Sequence, residues 1–226
     1  MRNRFVAYCR QHLDFSVRDY QYFQSFSLCC LEASFNANTR FAAVQNVLMH
    51  FCEWTTNNGL PLTDETRPEL WRVDKQIQLS QVLQLIDNQT LESLADIVGN
   101  HQRVAGRLKA ELFLDMMHLF SHYQIETYQD FQGQFNNLEL EEALSGLRGV
   151  GAATMSYLYL LAGGQNDVKI DRHIRSFAET ATRVVGLSDQ QILDLFVYAA
   201  QALGLTVRHL DHIVWEYQSN CNKKNK

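Results

Sequence analysis

Proline is almost missing from this chain: Pro61 and Pro68 are the two in 226 residues, and both fall in one polar stretch. Proline removes a backbone donor and breaks helices, so its scarcity leaves the remaining chain free to be helical, and an all-α fold is expected. The five cysteines (Cys9, Cys29, Cys30, Cys52, Cys221) form no CxxC pair. Neighbours such as Cys29 and Cys30 point to different faces of a helix, which argues against a metal cluster or a disulfide framework and for reduced, partly buried thiols. Long apolar runs are missing too. The start, MRNRFVAYCRQHLDF, holds an apolar stretch too short for a signal-peptide core, so a soluble, intracellular protein without membrane contact is expected. Basic charge is in deficit, with 20 Lys and Arg against 25 Asp and Glu, for a net −5. That balance argues against a protein that coats nucleic acid non-specifically, because phosphate binding draws on Lys and Arg.

What is present is apolar content: 46% of residues are hydrophobic, enough to bury a core in one domain or two small ones. Helical spacing is legible in Phe41, Val44, Val47, Leu48 and Phe51, in Leu79, Val82, Leu83 and Ile86, and in Leu108, Leu112, Met116 and Leu119. The segment Thr55–Asp74 gathers Asn, Gly, Pro, Thr and charge, and reads as the longest loop, an insertion or a lid. Further breaks fall at Asn88-Gln89, Gly99-Asn100, Gly133, Asn136-Asn137, Gly163-Gly164 and Gly186-Leu187, with Ser188 before Asp189 as a helix start. About ten to twelve helices are expected, with a frayed tail after Cys221.

One stretch carries chemistry, LELEEALSGLRGVGAATMSYLYLLAGGQNDVKIDRHIRSF, from Leu138 to Phe177. Glu139–Ser145 reads as a short helix, Leu147-Arg148-Gly149-Val150-Gly151 as a glycine turn and Ala152–Ala162 as a second helix. Gly149 and Gly151 permit positive φ and close approach of backbone, and the N–H groups opening the second helix have no partners within it. An anion is favoured there; in a DNA-binding protein it would be a backbone phosphate, positioning a duplex without reading its sequence. An ordinary helix corner is the plain alternative. Past the second helix comes Lys169-Ile170-Asp171-Arg172-His173, an acid at the head of a helix flanked by basic residues, where negative charge is favoured. A simple helix cap is the alternative there. The charged residues between Leu144 and Ala178 are Arg148, Asp167, Lys169, Asp171, Arg172 and Arg175, a locally positive stretch in an acidic protein.

Taken together these motifs resemble the helix-hairpin-helix DNA glycosylase superfamily, which includes endonuclease III, the adenine mismatch glycosylases and the alkylpurine glycosylases. The family hairpin runs roughly Leu-Pro-Gly-Val-Gly-x-Lys-Thr-Ala. Leu147-Arg148-Gly149-Val150-Gly151-Ala152-Ala153-Thr154-Met155 matches at Leu, both glycines, Val and Thr, and Ile170-Asp171-Arg172-His173 matches the downstream Val-Asp-x-His type of segment. Gln102–His122, with Arg103, Arg107 and Lys109, looks like the helix that precedes the hairpin in the family. The resemblance spans about Gln102 to Phe177.

The resemblance implies an all-α, two-lobed glycosylase fold: a central lobe over 20–164 containing the hairpin (139–162), and a second lobe of 1–19 plus 165–226, with the DNA-binding cleft between them. Asp171 would be the catalytic carboxylate. Leu147, Arg148, Gly149, Val150, Gly151, Ala152, Thr154, Lys169 and Arg172 would contact DNA, and Asn36, in Ser34-Phe35-Asn36-Ala37-Asn38, would plug the gap left by a flipped base. Ala153 stands where bifunctional members carry a Schiff-base lysine, so a monofunctional enzyme using water is implied. The cysteine loop of iron–sulfur relatives is missing and no metal is expected, although the family leaves room for a monovalent cation at the hairpin. The implied partner is double-stranded DNA with a damaged or modified base, and the implied state a cytoplasmic monomer, nucleoid-associated in a bacterium. A non-catalytic DNA-binding module and a helical scaffold are the rival readings.

Weaker signals have plainer accounts. His118 and His122, four apart, lack a third metal ligand at a recognisable spacing. His209 and His212 around Asp211 could form a proton relay, but fit better on a C-terminal helix whose Leu210, Ile213, Val214 and Tyr217 pack inward. His173 could support Asp171 or the fold. The aromatics Phe15, Tyr20, Tyr22, Phe23 and Phe26 could stack on a base, but such clusters are more often core.

Overall fold

The structure is a computed structural model and describes residues 1–224, excepting the side chains of Pro68 and of residues 221–224. Among the described residues it is helical, with one two-stranded hairpin: α1 (Arg2–His12), α2 (Phe26–Asn36), α3 (Phe41–Asn57), α4 (Leu79–Ile86), α5 (Leu91–Ile97), β1 (Arg103–Val104), β2 (Arg107–Leu108), α6 (Lys109–His122), α7 (Tyr128–Gly133), α8 (Leu138–Gly146), α9 (Ala152–Leu161), α10 (Arg172–Thr182), α11 (Asp189–Leu203) and α12 (Val207–Lys224). None of the described helices is long and apolar enough to cross a membrane. The chain divides into two compact units, residues 1–20 with 163–226, and residues 21–162.

In the larger unit α2 is the central post. Every residue from Phe26 to Phe35 is buried, the pattern of a helix surrounded on all sides, and it packs against α3, α6 and α9. The stripe of α4 behaves as its spacing predicts: Leu79, Val82, Leu83 and Ile86 all face inward. Its start is fixed by a capping box between Gln78 and Gln81, that of α7 by one between Thr127 and Asp130, and that of α5 by the Thr90 hydroxyl; such caps satisfy N–H groups that the first turn leaves unpaired. Phe26, Phe120 and Phe131 form an aromatic nucleus, with Phe26 and Phe131 centroids 4.8 Å apart.

Two expectations need correction in this unit. Helix α3 runs through Thr55 to Asn57, so the irregular stretch begins later than its composition suggested. The stretch is packed down at Trp71. Two short 3-10 turns, Pro68–Trp71 and Val73–Lys75, lie in it, and the Trp71 ring sits 3.8 Å from Tyr22, centroid to centroid. The Trp71 carbonyl accepts from the side chains of Gln76 (2.9 Å) and Gln129 (3.0 Å). Finally, the helix expected over Gln102–His122 begins only at Lys109, because Ala105 (φ 49°) and Gly106 (φ 82°) reverse the chain between β1 and β2. Two consecutive left-handed residues make a turn that matches strand twist.

In the smaller unit α1, α10, α11 and α12 enclose Phe5, Phe177 and Phe196, with Phe5 5.8 Å from Phe177 and 5.4 Å from Phe196. Ser188 caps α11 in a capping box with Gln191, and Gly204 (φ 70°) ends it. On α12, Leu210, Ile213 and Val214 are buried, as the spacing predicts. This helix continues to Lys224, so the tail expected to fray after Cys221 is helical that far, and its last two residues lie outside those described. Cys9, Cys29, Cys30 and Cys52 are free and buried, and burial pushes the Cys9 and Cys52 thiols up to about 12, leaving them protonated.

Candidate functional site

The glycine turn lies in the 21–162 unit, between α8 and α9. Asn137 starts α8 by accepting from the N–H groups of Glu139 (3.0 Å) and Leu140 (3.2 Å). The corner closes when the Val150 N–H donates to the Leu147 carbonyl at 2.9 Å. Leu147 and Val150 turn towards the core, while Arg148, Gly151, Ala152 and Ala153 are exposed and Thr154 is half-buried. The two glycines do different jobs, which the sequence did not separate. Gly149 is left-handed (φ 106°), and a Cβ there would stand 3.0 Å from a Val104 methyl and 3.5 Å from Leu112, so the turn seats on the β1–β2 hairpin. Gly151 does not use positive φ. It is the extended N-cap of α9 (φ −115°), with nothing within 4 Å of where a Cβ would be. The residues that open α9, Gly151 to Ala153, are thus exposed, as is Arg148 in the turn before them.

Asp171, in the other unit, is the N-cap of α10. Its Oδ1 accepts from the N–H groups of His173 (2.8 Å) and Ile174 (3.1 Å). Both cap bonds fall on one oxygen, so Oδ2 is not used by the cap, and the residue is half-buried. The backbone arrives through two successive three-residue turns: the Ile170 N–H donates to Val168 O at 3.0 Å and the Asp171 N–H to Lys169 O at 2.7 Å. Arg172 is exposed beside the acid, and its Nε lies 3.4 Å from His173 Nε2.

Lys169 was expected to face a phosphate; it is instead buried, at 9% exposure, because this double turn is packed on Val168 and Ile170. Arg175 is also committed, donating to Leu187 O and pairing with Asp189. The exposed cations of the Leu144–Ala178 stretch are thus Arg148 and Arg172.

Sequence reasoning missed the layer beneath Asp171. Asp211 on α12 is 1% exposed. Its Oδ1 accepts from the Lys169 backbone N–H at 3.1 Å and its Oδ2 from the Tyr20 hydroxyl at 3.3 Å. Arg208, one turn earlier and 1% exposed, pairs with Asp19 at 2.8 Å and donates to Tyr20 O at 3.1 Å, with its guanidinium 5.0 Å from the Tyr20 ring centroid. Burial, reinforced by the nearby Asp171 charge and only partly offset by Lys169, raises the Asp211 carboxyl to about 7. Burial likewise lifts Asp167, in the approach to the double turn, to about 6, and drops His212, whose ring lies 4.2 Å from that of Tyr20, to about 4. A signal was available: positions 207, 210, 211 and 214 share a helix face, so the stripe that buries Leu210 and Val214 carries Asp211 inward with them.

The proposed plug, Asn36, is the last residue of α2 and half-buried, its carbonyl accepting from the Thr39 N–H at 3.2 Å. The exposed asparagine of that turn is Asn38, in left-handed conformation (φ 54°). Beneath the turn Lys109 is 2% exposed, and its ammonium donates to Phe35 O (3.1 Å), Ala37 O, Thr39 Oγ1 and Gln102 Oε1 (3.0 Å). Burial lowers it to about 8, still protonated at neutral pH. His118 pairs with Asp87 at 3.1 Å, and Phe23 and Phe26 belong to the core.

A family model described as "Domain of unknown function (DUF8548)" matches residues 3–219. No curated protein and no solved structure matches the chain.

Proposed function

We propose, for a chain that belongs to the DUF8548 family of unknown function, that it is a monofunctional DNA glycosylase, which excises a damaged or modified base from duplex DNA with the help of Asp171. The observation that carries this reading is the cap geometry of Asp171: two backbone bonds fall on Oδ1 and leave Oδ2 of a half-buried carboxylate outside the cap. It is supported by the hairpin upstream, whose second helix opens at exposed backbone next to Arg148.

Breaking an N-glycosidic bond builds oxocarbenium-like charge on the sugar. A fixed carboxylate beside the sugar stabilises that charge and orients the attacking water. The hairpin N–H groups would hold a phosphate and set the register of the duplex, while the base leaves the stack to be reached. Ala153 offers no amine, so water rather than the enzyme takes the sugar carbon. Arg148 and Arg172 supply the exposed positive charge.

The test is base release from duplexes that carry alkylated, oxidised, deaminated or mispaired bases, compared with Asp171→Asn. Asparagine is as good an N-cap as aspartate, so the variant removes the charge and spares the helix. Base release is expected to fall by about 10²–10³-fold with duplex affinity unchanged in a gel shift. Equal activity in the variant removes the carboxylate from the mechanism, and binding without base release on every substrate favours a non-catalytic hairpin module. Borohydride is expected to trap no enzyme–DNA adduct, with strand breaks appearing only after alkali; a trapped adduct would place an amine in the reaction.

A further inference from the structure

We propose that Asp211 is the positioning residue for Asp171, holding the double turn that delivers it through the one central N–H which neither turn uses. The inference rests on the glycosylase reading for its catalytic meaning and on geometry for its substance. The turns consume the N–H groups of Ile170 and Asp171. The N–H of Lys169 is left, and in an environment this buried it needs an acceptor. Asp211 Oδ1 is that acceptor, at 3.1 Å.

Asp211 does not act alone, since a carboxyl group that could swing would fix nothing. Its second oxygen is tied to the Tyr20 hydroxyl; Tyr20 in turn is held by Arg208, which bonds its carbonyl and lies over its ring; and Arg208 is anchored by Asp19. Arg208 and Asp211 are one turn apart on α12, so one helix face fixes both the residues that follow α1 and the approach to α10. Asp211 is 1% exposed and reaches the acid through backbone, not by touching a substrate. The role is mechanical: a carboxylate that works at a sugar must be held to within a fraction of an ångström, and misplacement by about 1 Å costs about a hundredfold in rate.

The experiment compares Asp211→Asn, which keeps an oxygen for the Lys169 N–H, with Asp211→Ala, which does not; Tyr20→Phe removes the hydroxyl of the second tie and keeps the ring. Amide hydrogen exchange of the whole chain is read first. In Asp211→Ala the amides of Lys169, Ile170 and Asp171 are expected to exchange about tenfold faster than in Asp211→Asn, while α11 and the core of α12 stay protected. Tyr20→Phe should show the same change at a smaller amplitude, and decides the matter should Asp211→Ala fail to fold. Unchanged exchange at 169–171, or equal loosening in Asp211→Asn and Asp211→Ala, overturns the proposal. Steady-state base release is read second: kcat is expected to fall about a hundredfold in Asp211→Ala with KM unchanged, and to recover in Asp211→Asn. Loosened turns with an unaltered kcat would also overturn it. A wild-type protein that releases no base from any substrate defeats the glycosylase reading alone, because the exchange data still decide whether Asp211 holds the turn.

Discussion

Exchanging Asp211 for Asn is expected to change how stability depends on pH, in a direction and over a range that the structure sets. The carboxyl is raised from 3.8 to about 7, first by desolvation. The folded protein therefore keeps a proton that the unfolded chain has already released. The stabilising contribution is complete below the unfolded value, falls away as pH climbs, and is gone above about 7. With about three pKa units between the two states and ~1.4 kcal/mol per unit, the swing approaches about 4 kcal/mol as an upper limit. Asparagine has no proton to lose, so the stability of Asp211→Asn minus that of the parent is expected to increase by up to this amount between about pH 4 and about pH 8. Subtraction is essential. Asp167, also raised, adds a swing of the same sign, whereas His212, held neutral, destabilises the fold on acidification; both are common to the two proteins and cancel. The assay is chemical denaturation followed by far-UV circular dichroism at several pH values. Any constant offset reports how the amide fits, and the slope carries the test. A difference that stays flat across the range would mean that Asp211 is ionised throughout, and the argument from burial would fail.

The remaining predictions concern the larger unit. Gly149→Ala combines a left-handed φ with a 3.0 Å approach to Val104 and should cost about 2 kcal/mol, while Gly151→Ala, extended and open, should stay within about 0.5 kcal/mol; denaturation midpoints compare them, and equal costs would refute the division of labour between the glycines. Lys109→Met should destabilise by about 3 kcal/mol, since it strips a buried ammonium from four oxygens and leaves one hydroxyl, that of Thr39, to serve both Ala37 O and Gln102 Oε1. A neutral result would mean that the turn after α2 holds itself.

The sequence was most informative where local chemistry decides structure. The stripe Leu79, Val82, Leu83 and Ile86 needs only helical periodicity to face inward, and Ser188 needs only a neighbouring N–H to begin α11. Asp171 at the head of α10 is the same kind of feature, a short side chain meeting its own backbone. Legibility ended where the deciding partner is remote. Tyr20 and Asp211 are 191 positions apart, and a charged residue on a helix reads as solvent-facing until its partner is found. Lys109 and Phe35 are 74 apart, so nothing local to a lysine in a helix shows that its ammonium is buried. The β1–β2 turn escaped for a different reason: alanine at position 105 rarely takes positive φ, so the pair Ala105-Gly106 does not announce a hairpin. Gly151 misled in the opposite sense, its flexibility being available and not used.

Holding the bend between α2 and α3 with a lysine, where a dissolved ion could have served, makes the counter-charge a covalent part of the chain. It cannot be chelated, competed off or diluted. On the proposed glycosylase reading, raising potassium chloride in a duplex-binding titration would weaken contacts to phosphate and leave the shape of this bend intact, so the slope of affinity against salt would count cations at a DNA surface, uncontaminated by local refolding.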